Sequence, residues 1–385
     1  MQIVLFYHSI VSDWNHGNAH FLRGIVAELM HRGHEVKVFE PQGGWSLQNL
    51  KAQYGEEPVR EFERTFPEMK STEYSLETLD PGRELDGAQL VIVHEWNDPA
   101  LVGKIGNHRK SNPGYKLLFH DTHHRSLSEP DRMAMFDLSG YDGVLAYGEV
   151  IKDIYLSKGW IQRAWTWHEA ADLRIFHPIE GVEKTGDLVW IGNWGDEERT
   201  QELYEYLINP VRELKLKAQV HGVRYPESAI GNLHEAGIEY KDWLPNYMVP
   251  QVFAQFKVTV HIPRKPYVEV LKGIPTIRPF EALACGIPLV SSPWEDSEGL
   301  FKIGEDFLMA QNGQEMKNYI KEILMDRNLA ESLSRHGRLT ILKRHTCAHR
   351  VDELLNIFKQ LSIESAFRQQ DEPSSVHSNK NERLK

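Results

Sequence analysis

The sequence has little of several features that mark common classes of protein. Its two cysteines, Cys285 and Cys347, are too few for a disulfide framework or a cysteine-based metal cluster. No apolar run approaches the roughly 20 residues that a helix needs to cross a bilayer, so no integral membrane segment is expected. The opening residues MQIVLFYHSI lack a basic segment before the apolar run, which predicts a first strand rather than a secretory signal. We therefore expect a cytoplasmic protein.

Positive charge is also scarce. The 385 residues carry a net charge of −11, whereas nucleic-acid-binding domains and proteins that dock on anionic lipid are usually basic. Neither kind of partner is expected. Hydrophobic residues at 41% and charged residues at 26% are typical of a globular protein. The length favours two domains over one.

The first 40 residues predict a β–α–β unit. Residues 3–7 form an apolar run, residues 21–30 have the spacing of an amphipathic helix that Gly33 ends, and residues 34–39 form a second run. This order is typical of a doubly wound α/β domain. The GxGxxG fingerprint is absent, which weakens a nicotinamide or flavin hypothesis. Gly17 and Asn18 are the turn residues of the first loop, and we expect them to face a ligand.

Polar residues follow two further predicted strands. Residues 90–94 precede EWNDP, and residues 116–120 precede DTHHRS. In open α/β sheets, ligands bind beyond the carboxyl ends of the strands. Glu95, Asp121, His123 and His124 are therefore candidate catalytic residues, because a carboxylate or imidazole can take the proton of an attacking hydroxyl. A metal site and simple capping of strands and helices remain alternatives.

The second half of the chain predicts another anion site. A strand over residues 187–191 leads into GNWGDEER, and residues 197–208 read as a helix. Glycines before a helix N-terminus let the backbone approach a phosphate, which makes Gly192, Asn193 and Arg199 candidates. A simple turn is the alternative. His261 and Arg264 sit at the end of the strand predicted at residues 257–262 and are expected to point to the same ligand.

The run over residues 256–296 is the most informative. A Pro- and Gly-rich loop leads to a short helix at residues 279–285, which Gly286 and Pro288 end, and residues 287–291 return as a strand. Arg278 could clamp two phosphate oxygens at the helix N-terminus, and Glu281 could accept hydrogen bonds from a ribose. An ordinary β–loop–α–β unit with a surface arginine and a capping glutamate is the alternative.

The motif RPFEALACGIPLVSS resembles the donor site of the GT-B nucleotide-sugar glycosyltransferases, most of all the group typified by the spore-maturation protein CgeB. FLRGIVAELMHRGHEVKVF is similar to the opening of that fold, and HEAADLRIFHP to the segment that joins its domains. In the group 1 enzymes two glutamates bracket a short loop, with seven residues between them. Glu281 matches the second, and Gly273 stands where the first would be.

The resemblance implies two Rossmann-like domains facing across a cleft and a C-terminal helix that crosses back to the first domain. The expected boundaries are an acceptor-side domain at 1–172, a donor domain at 173–343, a crossover helix at 344–367 and a disordered tail at 368–385. The expected function is metal-independent transfer of a sugar from a nucleoside diphosphate sugar to a carbohydrate or other hydroxyl acceptor, with no cofactor. In that hypothesis Arg199 and Arg278 bind the diphosphate and Glu281 the ribose. A sugar-nucleotide epimerase and a non-catalytic binding protein of the same fold are the alternatives.

Overall fold

Two parallel β-sheets form the framework of the chain, which the computed structural model describes over residues 1–195 and 197–371. The first sheet has the strand order β3-β2-β1-β4-β5-β6-β7 and the second β10-β9-β8-β11-β12-β13. Every strand pair is parallel. The expected pair of Rossmann-like domains is therefore confirmed.

The first domain alternates strands and helices. Its strands are β1 (Gln2–Phe6), β2 (Glu35–Pro41), β3 (Ser71–Tyr74), β4 (Leu90–His94), β5 (Lys116–Asp121), β6 (Gly143–Ala146) and β7 (Ala164–Thr166). Its helices are α1 (Ala19–His31), α2 (Trp45–Tyr54), α3 (Glu57–Thr65), α4 (Pro81–Glu84), α5 (Pro99–Ser111), α6 (Arg125–Ser128), α7 (Pro130–Met133) and α8 (Glu149–Ser157).

The second domain repeats the pattern. Its strands are β8 (Gly186–Ile191), β9 (Ala218–His221), β10 (Ile238–Tyr240), β11 (Phe256–His261), β12 (Leu289–Ser291) and β13 (Leu308–Met309). Its helices are α9 (Thr200–Leu203), α10 (Asn209–Leu214), α11 (Glu227–Glu235), α12 (Val249–Ala254), α13 (Lys265–Glu269), α14 (Ile277–Cys285), α15 (Gly313–Met325) and α16 (Arg327–Arg344), with a π-helical turn at Tyr204–Ile208 and a 3-10 turn at Asn246–Met248.

Each sheet reverses its strand order once. In the first, β1 pairs with both β2 and β4, so Ile3 lies between Val36 and Leu90. In the second, β8 pairs with both β9 and β11. A crevice opens beyond the carboxyl ends of the strands at such a reversal, and ligands of open α/β sheets bind there. The fold thus provides one crevice in each domain.

The apolar core is continuous between the domains. Strand residues such as Ile3 and Leu5 are fully buried, because helices cover both faces of each sheet. One core cluster joins these residues to Phe280 of α14 and to Val351 and Leu354 of the last helix. The relative position of the two domains is therefore fixed by apolar packing as well as by polar contacts.

The last helix, α17 (Cys347–Asp371), crosses back to the first domain as expected. Arg32 of α1 donates a hydrogen bond to the Ala348 carbonyl at 3.0 Å, and Arg163 pairs with Glu364 at 2.7 Å. The helix extends past residue 367, where the crossover helix was expected to end. Residues 372–385, the remainder of the expected tail, lie outside the described residues. Over the described chain no helix is long and apolar enough to span a membrane.

The elements around the most informative run agree with the sequence prediction to within two residues. Strand β11 covers 256–261, and α14 begins two residues before Pro279. Gly286 ends α14 in the left-handed conformation, with φ of 68°, which glycine adopts without a Cβ clash. The helix predicted from residue 197 begins later, at Thr200, so Arg199 lies just before the first turn of α9 rather than within it.

Candidate functional site

A cleft of about 540 Å³ lies between the domains, where the two crevices face each other. His8 after β1 and Trp96 after β4 line it from the first domain. Gly192 after β8 and Pro263 after β11 line it from the second. The cleft therefore lies beyond the carboxyl ends of the strands at both reversals, as the fold predicts.

Most of the residues proposed for the site line this cleft. They are Gly17, Asn18, His123, His124, Gly192, Asn193, Arg199, His261, Arg264 and Arg278. Three other candidates, Glu95, Asp121 and Glu281, have no exposed surface and are not among the residues that line the cleft. The structure places these three carboxylates one layer below the wall.

The second-domain wall carries a cluster of arginines. Arg199, Arg224, Arg264 and Arg278 come from four separate segments and all line the cleft. Glu198, the one carboxylate among the described second-domain residues of this wall, pairs with Arg264 at 3.2 Å. Burial, together with the charges of Arg264 and Arg278, lowers the pKa of Arg199 to about 9. The arginines repel one another, so a bound anion would relieve a strain that the protein carries without it.

Arg199 is held in place by the loop it belongs to. It donates hydrogen bonds to the carbonyls of Ile262 at 2.8 Å and of Asn193, and its guanidinium lies 5.1 Å from the centre of the Trp190 ring. Gly195 has φ of 93°, and a Cβ there would lie 2.9 Å from Arg199 Nε. Glycine at this position lets the loop fold over the guanidinium.

Arg278 and Glu281 form one unit at the start of α14. They are three residues apart on one face of the helix and pair with each other. The other oxygen of Glu281 lies 2.7 Å from Nδ1 of His20, in α1 of the first domain. Both oxygens of Glu281 are thus engaged by protein groups, which differs from the expected contact with a ribose. The unit instead joins the arginine wall to the first domain.

Glu169 is a buried carboxyl that the sequence did not single out. It is 3% exposed, and its Oε1 has no hydrogen-bond partner within the described part of the chain. Burial raises the pKa of Glu169 well above its ordinary value, and the negative charge of Glu281 raises it further. The charged form of Glu169 is thus disfavoured beside Glu281, whose direct partners are Arg278 and His20.

Asp121 and Glu95 support the first-domain wall from beneath. Asp121 accepts hydrogen bonds from the Tyr155 hydroxyl and the His123 backbone N–H, both at 2.9 Å, and burial raises its pKa to about 6. Glu95 pairs with Arg125. The expectation that both carboxylates reach the cleft does not hold in this structure, because these contacts turn them into the domain. In this geometry they position neighbouring groups.

The histidines of the first-domain wall are uncharged. Burial lowers the pKa of His8 to about 4 and holds those of His16 and His123 well below the ordinary value. It also lowers the pKa of His124, whose Nε2 lies 3.9 Å from the Glu198 carboxylate across the cleft. At neutral pH these rings offer hydrogen-bond donors and acceptors but no positive charge.

The loop after β1 is ordered by two acidic residues. Buried Glu40 accepts hydrogen bonds from the backbone N–H groups of Ile10 and Val11 and from the Ser9 hydroxyl. Asp13 pairs with Arg23 and accepts hydrogen bonds from the Trp243 indole at 3.0 Å and the Asn246 backbone at 2.9 Å. Because Trp243 and Asn246 belong to the second domain, Asp13 fixes one side of the cleft.

Gly273 has a conformational reason to be glycine. Its φ is 91°, and a Cβ there would meet Ser297 Oγ at 2.6 Å and Glu298 Cγ at 3.0 Å. Glu298 in turn lies 2.7 Å from Nε2 of His168 and accepts a hydrogen bond from the Glu149 backbone. A glutamate at position 273 is incompatible with this loop, so the departure from the two-glutamate pattern is built into the local backbone.

Other residues line the cleft besides the candidate catalytic and substrate-binding residues. Asp13, Trp45, Trp96, Glu198 and Trp243 all do so. Trp96 and Glu198 stand next to residues that were singled out, so their place after a strand was available as a signal. Trp45 lies in a polar region without clear periodicity, and nothing in the sequence pairs it with the cleft.

A metal site needs several acidic, histidine or cysteine side chains that converge on one point. Among residues 1–195 and 197–371, no group of three or more such side chains has a geometry that could hold a metal ion. The chemistry that the described cleft offers is therefore carried by arginines, imidazoles, amides and aromatic rings.

Comparison with known proteins supports a relation to glycosyltransferases. Residues 199–356 match the model of the family described as Glycosyl transferase-like, and this match contains Arg199, Arg264, Arg278 and Glu281. The comparison with curated proteins finds no match. The CgeB-like subtype has no support beyond the sequence motif.

Solved structures share the fold over nearly the whole chain. Sucrose-phosphate synthase from Thermosynechococcus elongatus is similar with a TM-score of 0.65 and 15% identity, over 94% of this chain and 100% of that one. A glycosyltransferase from Rickettsia africae is similar with a TM-score of 0.64 and 12% identity, over 94% of this chain and 98% of that one. Anabaena HepE in complex with UDP is similar with a TM-score of 0.63 and 13% identity, over 94% of this chain and 100% of that one. The fold is therefore that of the GT-B glycosyltransferases.

Proposed function

We propose that the protein is a glycosyltransferase that transfers a sugar, of the hexosyl type, from a nucleoside diphosphate sugar to an acceptor hydroxyl in the interdomain cleft. The arginine cluster of the second-domain wall carries this proposal. Arg199, Arg264 and Arg278 repel one another in the absence of an anion, and a diphosphate would satisfy them with charge-assisted hydrogen bonds. HepE, which shares the fold, is described in complex with UDP and with UDP and glucose, so uridine diphosphate is the first nucleotide to test.

The arginines would also assist the chemical step. In sugar transfer the bond between the anomeric carbon and the diphosphate oxygen breaks, a bond to the acceptor oxygen forms, and the nucleoside diphosphate leaves with its electron pair. Fixed cations beside the leaving oxygen stabilise that growing negative charge. The hydroxyl proton passes to a nearby base. His123 and His124, which both line the cleft, are the candidates for this base.

We further propose that transfer needs no divalent metal, because arginines supply the positive charge at the diphosphate. The subtype we propose is CgeB-like, on the motif that begins at Arg278. The proposed compartment is the cytoplasm, in keeping with two cysteines that are both buried as free thiols.

A thermal-shift screen against nucleoside diphosphates tests donor binding, since a ligand of the native state raises the melting temperature. Release of UDP from UDP-sugars, with and without acceptors, then tests for transfer. Donor turnover that rises when an acceptor is added supports a transferase. Isomerisation of the sugar nucleotide without acceptor would identify an epimerase instead, and binding without any turnover would identify a binding protein.

A further inference from the structure

The two walls of the cleft differ in charge. The second-domain wall contains four arginines. Among the described residues of the first-domain wall there is no lysine or arginine, and the charged side chains there are the carboxylates of Asp13 and Glu129. If the second-domain wall takes the anionic donor, the opposite wall faces the acceptor.

Large aromatic faces lie on the first-domain wall. Trp96 is half-buried against His123, with ring centres 5.1 Å apart, and the Arg125 guanidinium lies 3.8 Å from the centre of its ring. Trp45 is 45% exposed at the start of α2 and packs its edge on Trp14. Flat, rigid rings with apolar faces suit the C–H faces of sugar rings, which stack on indole while their hydroxyls point sideways.

Neutral hydrogen-bonding groups surround these rings. Asn15, Asn18 and Thr122 line the same wall, and the wall histidines are held uncharged by burial. Amide, hydroxyl and imidazole groups pair with sugar hydroxyls at little electrostatic cost. Arg125 adds no accessible charge, because it is 2% exposed and paired with Glu95 behind Trp96.

We infer that the acceptor is an uncharged saccharide, which stacks on Trp96 and Trp45. This inference rests on the proposed function, since it names the acceptor of the same reaction. A phosphorylated sugar, an anionic lipid headgroup or a nucleic acid would bring negative charge to a wall whose described residues include no lysine or arginine. The two carboxylates of that wall, Asp13 and Glu129, already occupy the neighbouring Arg23 and Arg132, so the added charge would find no free cation there.

The test compares each sugar with its own phosphate ester. The full-length protein is supplied with the UDP-sugar that it turns over, and the acceptors are glucose against glucose 6-phosphate, fructose against fructose 6-phosphate, and cellobiose and maltotriose. Phosphatidylglycerol vesicles and duplex DNA complete the panel. We expect every neutral sugar that is glycosylated to exceed its phosphate ester by at least about tenfold in kcat/KM, because the phosphate would lose water on a wall that gives it no free cation; tenfold corresponds to about 1.4 kcal/mol.

Variants of the two tryptophans test the stacking. Trp96→Ala and Trp45→Ala should each raise the acceptor KM about fivefold, the worth of one aromatic contact, and leave donor affinity unchanged. Trp96→Phe should restore most of the loss, because a ring face remains. Met135→Ala, which removes an exposed apolar side chain outside the cleft, should change neither constant.

Three results would overturn the inference. The first is a phosphate ester, lipid or DNA acceptor with a higher kcat/KM than the neutral sugars. The second is a donor that is turned over without transfer to any neutral sugar of the panel. The third is a pair of tryptophan variants that weaken binding of the donor instead of the acceptor. In each of these cases nucleotide-sugar turnover persists, so the result would contradict the inferred acceptor class and leave the proposed function intact. Absence of nucleotide binding would remove both.

Discussion

The two walls of the cleft are built on sheets that share the order of their first six strands, yet they differ in charge. Both follow parallel strands on either side of a reversal. Both walls carry tryptophans, histidines and amides, but among the described residues the second-domain wall adds four arginines and the first-domain wall has none. The sheets therefore determine where a site lies, and the loops after the strands determine which half of a reaction each wall can accommodate.

Glu281 lies where the two walls meet, and its replacement should have the largest effect. Glu281→Gln removes the charge that both Arg278 and His20 contact at a fully buried position. Removing one partner of a buried ionic group costs on the order of 3 kcal/mol of unfolding free energy, measurable by urea denaturation. Glu305→Gln, at an exposed site in the same domain, is the matched control and should change stability by less than about 0.5 kcal/mol. Equal stability of both variants would show that the unit does not join the domains.

Arg278→Ala removes one of the positive charges of the second-domain wall. We expect kcat/KM for the donor to fall at least about tenfold, since a charge-assisted hydrogen bond is worth roughly 1.5–3 kcal/mol. Arg212→Ala removes an exposed arginine of the same domain that lies outside the cleft and should leave steady-state kinetics unchanged. If Arg278→Ala has the same kinetics as Arg212→Ala, Arg278 does not contribute to the donor site.

His120→Phe tests how the histidines of the first domain stay neutral. His120 is fully buried with both ring nitrogens unpartnered within the described chain, and burial lowers its pKa to about 3. Because this value lies below the unfolded pKa of about 6.5, its contribution to stability is intact above pH 6.5 and is lost on acidification at about 1.4 kcal/mol per pH unit. Burial also lowers the pKa values of His261 and His345 to about 3. Asp121 and Glu95, whose pKa values burial raises, give effects of opposite sign, because each gains stability on acidification.

The wild type should therefore lose stability from pH 6.5 to pH 5, and His120→Phe should lose less. Urea denaturation at several pH values measures the difference in slope. His234→Phe, at an exposed position of α11, should keep the wild-type slope. A variant that is as acid-sensitive as the wild type would mean that His120 is not kept neutral by the fold.

Excess chelator should have the smallest effect, a change in turnover of less than about twofold, because the arginines supply the positive charge at the diphosphate. Loss of activity that added Mg²⁺ or Mn²⁺ restores would show that the cationic wall needs a metal ion beside it.

Much of the fold could be predicted from sequence because parallel strands covered on both faces appear as short apolar runs. The runs at residues 3–7, 90–94 and 257–262 marked three central strands, and Gly286 marked the end of α14. The loops after those strands could be located for the same reason. Gly17, Arg199 and Arg278 were predicted by this reasoning together with the resemblance to the glycosyltransferase motifs.

Whether a candidate side chain reaches the cleft or is buried below its wall could not be predicted. Glu281 and His20 are 261 residues apart, so nothing local in the sequence indicates that they meet. Asp121 ends β5 as expected, but its hydrogen bond from Tyr155 of α8 turns it inward. Trp45 follows a strand in a region without clear periodicity, and only the packing of α2 against the first loop brings it to the cleft.

A calorimetric titration of the wild-type protein with UDP and with uridine tests the central claim most directly, because the two ligands differ only in the diphosphate. Several arginine contacts, each worth roughly 1.5–3 kcal/mol, predict that UDP binds at least about 100-fold more tightly than uridine. Equal affinities, or no binding of any nucleoside diphosphate, would contradict the assignment of the second-domain wall as a diphosphate site.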